Sequence, residues 1–505
     1  MVVDGLGFRV FEEAEMSFLK RAGKRGFVSA VRSVMPSVTY PAHASIVTGV
    51  LPGSHGVVGN RFQDPEKGPV DLDRVDAGLL LEAPTVFELA EGGACIGIAV
   101  CRGASWVVSK KEVQSRPLWS WDEYAAAKAA EAIKELKPKL IAVNLPCVDG
   151  VGERYGVGSE VLKAAEKADE LIQHLDAAAR DCYRSHLLIA LGDHGLTNVE
   201  RRVDLSKLLS GVASVYPSHR AAHIYTSDTS EALRALREAE AAQAAYTREK
   251  LREAGLSHSR CGDIVVFAPP GVEYEQEGIR GSHGGLTPEE MWVPLVASRS
   301  EARCYSGSWV ASAAKAALQY LMEARLEEAV ASAYSRDPSH SLSHARRVAE
   351  TATSLALDSG QSVQEARLAA LLHDANRSQE PRGHEERAAK LAAELLREAG
   401  IPESTVKKVV EAILSHHKPP SEVKGLSALL WDADKLDALG LTGLCRCMIE
   451  AGAKGEDITQ AIEHYLRDIR ELAPGLHLSL SEKIAQQKLK AAQEALKALL
   501  RELSS

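Results

Sequence analysis

Several features that would place the protein in a specialised class are rare or missing from its 505 residues. Aromatic residues make up only 5%, and the 8 cysteines include no Cys-x-x-Cys pair. No segment approaches the roughly 18 consecutive apolar residues of a membrane-spanning helix, and residues 1–5 lack the basic and apolar regions of a signal peptide. These absences predict a soluble cytoplasmic protein with free thiols and no disulfide framework.

An excess of positive charge is missing as well. The chain has 60 Lys and Arg against 69 Asp and Glu, which gives a formal net charge of -9. We therefore expect no partner among duplex nucleic acids and none among membranes. Apolar residues at 45% and charged residues at 26% are typical of a globular protein, and the length predicts about two to four domains.

Up to about residue 300, apolar runs alternate with helical patterns. This alternation predicts an α/β domain over 1–300 with a mostly parallel central sheet, and a small cap over about 200–280. The first strand is short, so either the sheet edge is clipped there or the natural start lies upstream. The candidate strands are Met1–Val3, Phe27–Val34, Ile96–Val100, Leu140–Asn144, His186–Leu191 and Ile264–Ala268. The candidate helices lie near 10–22, 84–91, 122–137, 159–180 and 230–254.

From about residue 308 onward, strand-like runs stop and helical periodicity continues to Ser505. This change predicts an all-α second domain over 323–505. The linker between the domains is expected at 301–322, with a Ser/Gly break at Ser306–Ser308 that leads into a connecting helix.

Polar side chains follow the predicted strands of the first domain, at the sheet edge where α/β proteins bind ligands. Taken singly, each of them is more often a turn former or a helix cap. Together they offer carboxylates, imidazoles and one hydroxyl, a set that suits two divalent cations with nitrogen and oxygen ligands. The hydroxyl precedes a predicted helix, where a phosphate group is also favoured. These residues are Asp4, Thr39, Asp149, Glu153, Asp193, His194 and His283.

The segment 36–49, Pro-Ser-Val-Thr-Tyr-Pro-Ala-His-Ala-Ser-Ile-Val-Thr-Gly, and the segment 52–60 after it resemble the alkaline phosphatase superfamily, particularly its nucleotide pyrophosphatase/phosphodiesterase branch. The resemblance implies an alkaline phosphatase-like fold and hydrolysis of phosphodiester or pyrophosphate bonds through a phospho-threonine at Thr39. It implies that Asn60 holds a non-bridging phosphate oxygen. It also implies two ligand sets, one of Asp4, Thr39, Asp193 and His194, the other of Asp149, Glu153 and His283.

Position 153 departs from the pattern of that family, which usually has His there. A carboxylate at Glu153 still ligates a cation, but it adds negative charge and favours harder ions. The two cations are therefore expected to be zinc, or manganese, iron or magnesium. Two readings stay open, since Glu153 is either a working ligand or the mark of a weakened second site.

The second domain concentrates histidines. A single His on a helix is commonly solvent-facing, but distant His and Asp residues around an adjacent His-Asp pair can enclose a cation. The order His344, His373-Asp374, Asp434 resembles the HD superfamily of metal-dependent phosphohydrolases. The resemblance implies one or two divalent cations (manganese, iron, magnesium, nickel or zinc) and hydrolysis of a phosphate ester by an activated water, without a covalent intermediate. The residues that either complete a second cation site or bind substrate phosphate are His384, His416, Lys435 and Arg377.

Two phosphate chemistries in one chain predict a bifunctional phosphohydrolase whose partners are small phosphate esters of the nucleotide type. One alternative is that a single domain is catalytic and the other is a nucleotide-binding regulatory module. Another is that the first domain is a phosphomonoesterase. A sulfatase is excluded because Thr39 cannot supply the formylglycine that such enzymes make from Cys or Ser. Nothing in the sequence indicates an oligomeric state.

Overall fold

The computed structural model describes residues 1–254, 256–299, 309–334, 340–377 and 383–503. The chain divides into two compact units, Met1–Leu321 and Met322–Ser505. The boundary falls inside the helix Ser312–Tyr334. The Ser306–Ser308 break of the predicted linker lies outside the described residues.

The described strands all belong to the first unit. In chain order they are β1 (Val2–Val3), β2 (Phe27–Arg32), β3 (Arg61–Asp64), β4 (Gly68–Asp71), β5 (Ala94–Ile96), β6 (Trp106–Val108), β7 (Ile141–Leu145), β8 (Ile189–Leu191), β9 (Thr197–Asn198), β10 (Arg201–Arg202), β11 (Ser214–Ser218), β12 (Ala221–Tyr225), β13 (Ala244–Thr247), β14 (Ile264–Phe267), β15 (Val272–Glu273), β16 (Gly281–Ser282) and β17 (Trp292–Ala297).

The central sheet has seven strands in the order β2-β17-β8-β1-β7-β5-β6. Strand β17 runs antiparallel to β2 and β8, and the other pairings are parallel, which confirms the predicted mostly parallel sheet. The short strand β1 lies in the middle, between β8 and β7. Asp4, the residue after β1, therefore lies at the centre of the edge where the parallel strands end.

Helices cover this sheet. In α9, the residues Val161, Ala164, Ala165, Ala168 and Ile172 are buried at helical spacing, and their small size lets α9 pack closely on α7 and α8. The α-helices of the first unit are α1 (Phe8–Glu13), α2 (Ser17–Arg25), α3 (Thr39–Thr48), α4 (Pro52–His55), α5 (Val86–Leu89), α6 (Lys110–Gln114), α7 (Trp121–Glu131), α8 (Cys147–Tyr155), α9 (Ser159–Cys182), α10 (Leu205–Leu208), α11 (Thr229–Glu238), α12 (Arg248–Glu253) and α13 (Pro288–Met291).

The region predicted as a cap contains an antiparallel sheet in the order β11-β12-β14-β13. The single helix predicted over 230–254 is wrong, because β13 separates α11 from α12 and pairs with β14. Glu240, which has a φ of 47°, ends the first of these helices. Alanine-rich composition favours a helix, but pairing with β14 overrides that local preference. For the same reason Ile264–Phe267 belongs to this sheet and not to the central one.

Residues 95–101 correct two further expectations. Strand β5 ends at Ile96, before a Gly97 with a φ of 68°, so the strand predicted over Ile96–Val100 is displaced toward the amino terminus. Cys95 and Cys101 form a disulfide bond, which contradicts the expectation of free thiols throughout and removes one support for the predicted compartment. The free cysteines in the described residues are Cys147, Cys182, Cys261, Cys445 and Cys447.

Beyond residue 321, the described secondary structure of the second unit is helical, as predicted. Its core includes α15, α16, α18 and α19, which pack on one another. No helix in the described ranges combines the length and apolar content needed to cross a bilayer. The remaining α-helices are α14 (Ser312–Tyr334), α15 (Leu342–Ser359), α16 (Val363–Leu372), α17 (His384–Glu398), α18 (Glu403–Ser415), α19 (Leu426–Ala438), α20 (Gly440–Lys454), α21 (Ile458–Leu472) and α22 (Ser479–Leu503).

Asp122 provides a test of how α8 is held at the sheet edge. Its buried carboxylate accepts the N–H of Cys147 at 2.9 Å, at the start of α8, and burial raises the pKa of Asp122 to about 7. The folded protein therefore binds this proton more tightly than the unfolded chain does, and stability falls as the pH rises toward 7.

The substitution Asp122→Asn keeps an oxygen acceptor and removes the charge. We expect the stability of the variant relative to wild type to increase between about pH 5 and about pH 8, by at most about 3 kcal/mol. Thermal unfolding at the two pH values measures this difference. A difference that does not change with pH would contradict the raised pKa. Asp122→Ala, which also loses the acceptor, should be less stable than Asp122→Asn at both pH values.

Candidate metal centres

Asp4 and Asp193, at the centre of the sheet edge, each have one carboxylate oxygen that accepts hydrogen bonds from the protein and one that does not. Asn144 Nδ2 donates to Asp4 Oδ2 at 2.8 Å. The backbone N–H groups of Gly5 and His194 donate to Asp193 Oδ1 at 3.1 and 2.8 Å. The second oxygens, Asp4 Oδ1 and Asp193 Oδ2, are buried and accept no hydrogen bond. Buried oxygens without partners are costly unless a cation occupies the space between them.

The pKa values of the carboxylates at this edge also indicate a cation site. Burial raises the pKa of Asp193 well above its usual range, and the nearby charge of Asp4 raises it further. Burial also raises the pKa of Asp149 well above its usual range, and the charge of Glu153 adds to the effect. The carboxylates repel one another, and Lys110 offsets the effect on Asp149 only in part, so divalent cations fit this group.

Thr39 and His194 complete a first ligand group with Asp4 and Asp193. Thr39 is the first residue of α3, and its Oγ1 lies 3.3 Å from His194 Nε2. The same nitrogen lies 3.2 Å from Asp193 Oδ2 and 3.5 Å from Asp4 Oδ1. Burial lowers the pKa of His194 to about 4, so its imidazole is neutral near pH 7 and is in the form that binds metals.

Asp149 and His283 form a second group beside the first. His283 Nε2 lies 3.7 Å from Asp149 Oδ1, and the rings of His283 and His194 stack with centroids 3.7 Å apart. The other ring nitrogen of His283, Nδ1, lies 3.0 Å from Ser37 O, a contact that turns Nε2 toward Asp149. Glu153 follows Asp149 by one helical turn on α8. The structure thus gathers all seven residues that the sequence analysis assigns to the two cations.

Asn60, the residue implied to hold a phosphate oxygen, lies beside α3. Its Oδ1 accepts the N–H of Tyr40 at 3.3 Å, which leaves the amide NH2 group as a donor. Its own backbone N–H donates to Ser218 Oγ at 3.1 Å.

Two histidines at this edge are absent from the sequence prediction. His43 lies one helical turn after Thr39, and its Nε2 is 3.5 Å from Asp193 Oδ2. The i, i+4 spacing from Thr39 is the signal that indicates it. His219 Nδ1 lies 3.7 Å from Glu153 Oε1, but His219 belongs to no motif. The His missing at position 153 is the only sequence signal that leads to it.

In the second unit, Asp374 lies between two sets of histidines. Its Oδ2 is 3.7 Å from His344 Nε2 and 3.6 Å from His373 Nε2. Its Oδ1 is 3.3 Å from His384 Nε2 and 3.7 Å from His416 Nε2. Asp374 therefore has one oxygen for a cation held with His344 and His373 and the other for whatever the second set binds.

Asp434 completes the set that contains His344 and His373. Its Oδ1 lies 3.3 Å from His344 Nε2 and 3.7 Å from His373 Nε2, and neither Nε2 atom makes a hydrogen bond. Burial opposes ionisation of Asp434, but Lys435, whose Nζ is 2.6 Å from Oδ2, together with His344 and His373 outweighs burial and holds the pKa of Asp434 well below its usual range. The geometry and the ionised carboxylate fit one divalent cation.

Arg377 stands in the second set. Its Nη1 is 3.2 Å from Asp374 Oδ1 and 3.1 Å from the Nε2 atoms of both His384 and His417. A guanidinium here takes the position that a second cation would need, and it supplies the positive charge that a phosphate would need.

Asp437 is a further residue that the sequence analysis does not predict, although it follows Asp434 by about one turn on the same helix. It lies 2.7 Å from His344 Nδ1, and it is held by Arg347 at 2.8 Å and by Arg446 at 3.0 Å. A carboxylate on the far nitrogen of a metal-binding imidazole fixes its orientation and increases its basicity.

Replacing Asp437 tests this support. We expect Asp437→Asn to weaken cation binding in the second unit about 10–100-fold. Calorimetric titration with Mn²⁺ measures the affinity, in a chain whose first-unit ligands Asp149 and Asp193 are replaced by Ala. The matched control is Asp432→Asn on the same helix, because Asp432 binds only the N–H and ring of His477 and the N–H of Leu478 among the described residues. Equal affinities of the Asp437 and Asp432 variants would contradict the role of Asp437.

Comparison with known proteins agrees with both predicted domain types. Residues 1–286 match the family model described as type I phosphodiesterase / nucleotide pyrophosphatase, and residues 341–439 match the model of the HD domain. The human ectonucleotide pyrophosphatase/phosphodiesterase family member 1 is 26% identical over 223 residues, which are 40% of this chain and 23% of that protein. An uncharacterized pyrophosphatase/phosphodiesterase of Schizosaccharomyces pombe is 30% identical over 204 residues, which are 35% of this chain and 41% of that protein.

Solved structures show the fold of the first unit. Phosphonoacetate hydrolase from Sinorhizobium meliloti 1021 aligns with a TM-score of 0.52 and 21% identity, over 63% of this chain and 94% of that one. Human ectonucleotide pyrophosphatase / phosphodiesterase 5 aligns with a TM-score of 0.52 and 20% identity, over 63% of this chain and 93% of that one. The chain therefore belongs to the type I phosphodiesterase / nucleotide pyrophosphatase family and carries an HD domain after the family's own domain.

Proposed function

We propose that the chain is a bifunctional, metal-dependent phosphohydrolase. One observation carries the proposal: buried ligand atoms that make no hydrogen bond converge in each unit, carboxylate oxygens and imidazole nitrogens in the first and the imidazole nitrogens beside Asp374 and Asp434 in the second. Divalent cations held there would lower the pKa of a hydroxyl or a water and stabilise the charge that develops on phosphate oxygens. The two ligand sets lie in different units, so we assign one hydrolytic reaction to each.

In the first unit, Thr39 is the proposed nucleophile. Its hydroxyl, at the amino end of α3, lies 3.3 Å from His194 Nε2 of the first group, and the His194 ring stacks on that of His283 in the second group. The helix N-terminus favours a phosphate group at this position. Attack of Oγ1 on phosphorus forms the ester at Thr39 and releases the leaving group, and water then hydrolyses that ester.

Asn60 positions the substrate in this scheme. With its side-chain oxygen occupied by the N–H of Tyr40, the Asn60 amide donates to a non-bridging phosphate oxygen. The proposed substrates are nucleotide-type phosphodiesters or pyrophosphates. The curated relatives carry the names of these activities, and an inactive form of murine ectonucleotide pyrophosphatase / phosphodiesterase 5 has been solved with AMP, with a TM-score of 0.50.

In the second unit, His344, His373, Asp374 and Asp434 are the proposed cation ligands, and water attacks the phosphate ester directly. A cleft of about 570 Å³ adjoins them. Near Asp374 the cleft is lined by His417 and by Arg377 and Lys435, whose positive groups suit a phosphate. The volume admits a small phosphate ester. Because Arg377 occupies the second histidine set, we assign His384 and His416 to phosphate binding together with it.

Substitutions in the two units should separate the two reactions. We expect Thr39→Ala to lower hydrolysis of bis-p-nitrophenyl phosphate by a factor of about 10³ or more, because the nucleophile is lost. The double variant His373→Ala/Asp374→Ala should keep that activity and lose the phosphate-ester activity of the second unit. Rates with bis-p-nitrophenyl phosphate, p-nitrophenyl phosphate and a nucleotide panel, each with zinc, manganese and magnesium, measure both effects.

Thr39→Ser, which retains a hydroxyl, is the control and should keep measurable diesterase activity. A first unit that prefers p-nitrophenyl phosphate with every metal would contradict the diesterase assignment. If the His373/Asp374 variant loses no hydrolysis but changes the nucleotide response of the first unit, the HD domain is a regulatory module instead.

A further inference from the structure

The second ligand group of the first unit lacks one nitrogen. The related proteins' motif implies a His at the position that Glu153 occupies, so Asp149 and His283 are left with one imidazole between them. A carboxylate at 153 also leaves the group more negative than that pattern. The structure contains a histidine that meets this deficit from outside the motif.

His219 lies beside this group, in the turn between β11 and β12. It is 8% exposed, and its Nδ1 is buried without a hydrogen bond, 3.7 Å from Glu153 Oε1. Its ring centroid lies 4.2 Å from that of His283. One ligand atom from each of Glu153, His219 and His283 lies within 4.8 Å of the other two, which is the separation that a single bound cation allows.

The backbone of His219 adopts a conformation that is unfavourable for a histidine. His219 and Arg220 form the turn between β11 and β12, and His219 has a φ of 55°, a conformation that favours glycine. Its N–H donates to Glu275 Oε2 at 2.8 Å, and the N–H of Arg220 donates to His283 O at 3.0 Å. His219 occupies a turn position that favours glycine, and its neighbour Arg220 bonds to the ligand residue His283. We therefore infer that the side chain of His219, and not the geometry of the turn, accounts for a histidine at this position.

Contacts of Arg220 and Ser218 also hold the turn in place. The Arg220 guanidinium is fully buried and pairs with Glu290 at 2.9 Å. Ser218 Oγ accepts the N–H groups of Asn60 and Arg61, both at 3.1 Å. The same turn therefore supports the residue proposed to hold phosphate and carries His219 to the second ligand group.

We propose that His219 is a ligand of the second cation, and that this site consists of Asp149, Glu153, His219 and His283. The imidazole that the motif loses at position 153 is supplied from the β11–β12 turn, and Glu153 stays in the site as a carboxylate ligand. This inference rests on the proposed two-cation function of the first unit. A set of two carboxylates and two imidazoles accommodates manganese or iron as well as zinc.

The number of cations bound by full-length protein tests the assignment. The background variant is His373→Ala/Asp374→Ala, because Asp374 faces both histidine sets of the HD domain and its loss removes cation binding there. In this background we expect two Mn²⁺ per chain by equilibrium dialysis with elemental analysis. Adding His219→Gly, which suits the backbone of the turn, should leave one tightly bound Mn²⁺ and weaken the other at least about tenfold.

Two further variants separate ligation from support of the fold. Adding Glu153→His to His219→Gly restores an imidazole from the other side and should restore the second Mn²⁺. His223→Gln changes another buried histidine of the same hairpin, whose ring contacts Val58 O and the N–H of Gly262, and should leave both cations bound. Thermal unfolding with a chelator present should be equal for His219→Gly and its background.

Two cations bound with unchanged affinity in His219→Gly would overturn the assignment and leave the proposed function standing. Failure of Glu153→His to restore the second cation in His219→Gly would also overturn it. If Asp149→Ala and Asp193→Ala do not change the cation count of the background either, the two-cation function of the first unit falls together with this inference.

Discussion

Carboxylates buried at one sheet edge without enough hydrogen bonds are the constraint on which the first unit depends. Strands β1 and β8 end beside each other and bring Asp4 and Asp193 together, while α8 adds Asp149 and Glu153. Mutual repulsion and burial make this group unfavourable in the protein alone. The surrounding strands, turns and caps keep these carboxylates close together, so the first unit is organised around cations that it must bind from solution.

The second unit resolves a similar problem in another way. Burial opposes ionisation of Asp374, but His373, His384, His416 and Arg377 together outweigh it, and the pKa of Asp374 stays well below its usual range. The groups around this carboxylate therefore already balance its charge, unlike those around Asp149 and Asp193 of the first unit. A centre balanced in charge suits one cation and a phosphate held by Arg377, whereas an excess of carboxylates suits two cations and a protein nucleophile.

Features that depend on residues close together in the chain could be predicted from the sequence. Asp4, Asp193 and His373-Asp374 follow strands or helices directly, and motif spacing identified Thr39 and the domain types. What failed depends on contacts distant in sequence. Pairing with β14 turned part of a predicted helix into β13. The disulfide between Cys95 and Cys101 is the exception, since these residues are only 6 apart in sequence. His219 and Asp437 went unpredicted because only folding brings them to Glu153 and His344.

The central claim is that Thr39 attacks phosphorus between the two ligand groups of the first unit. Mass spectrometry of peptides from protein quenched in acid during turnover of a nucleotide diester tests it most directly. The account predicts a phosphoryl or nucleotidyl adduct on Thr39, absent from the Thr39→Ala variant and present when the HD-domain ligands are removed. Sustained turnover with no adduct on Thr39 in the quenched protein would contradict it.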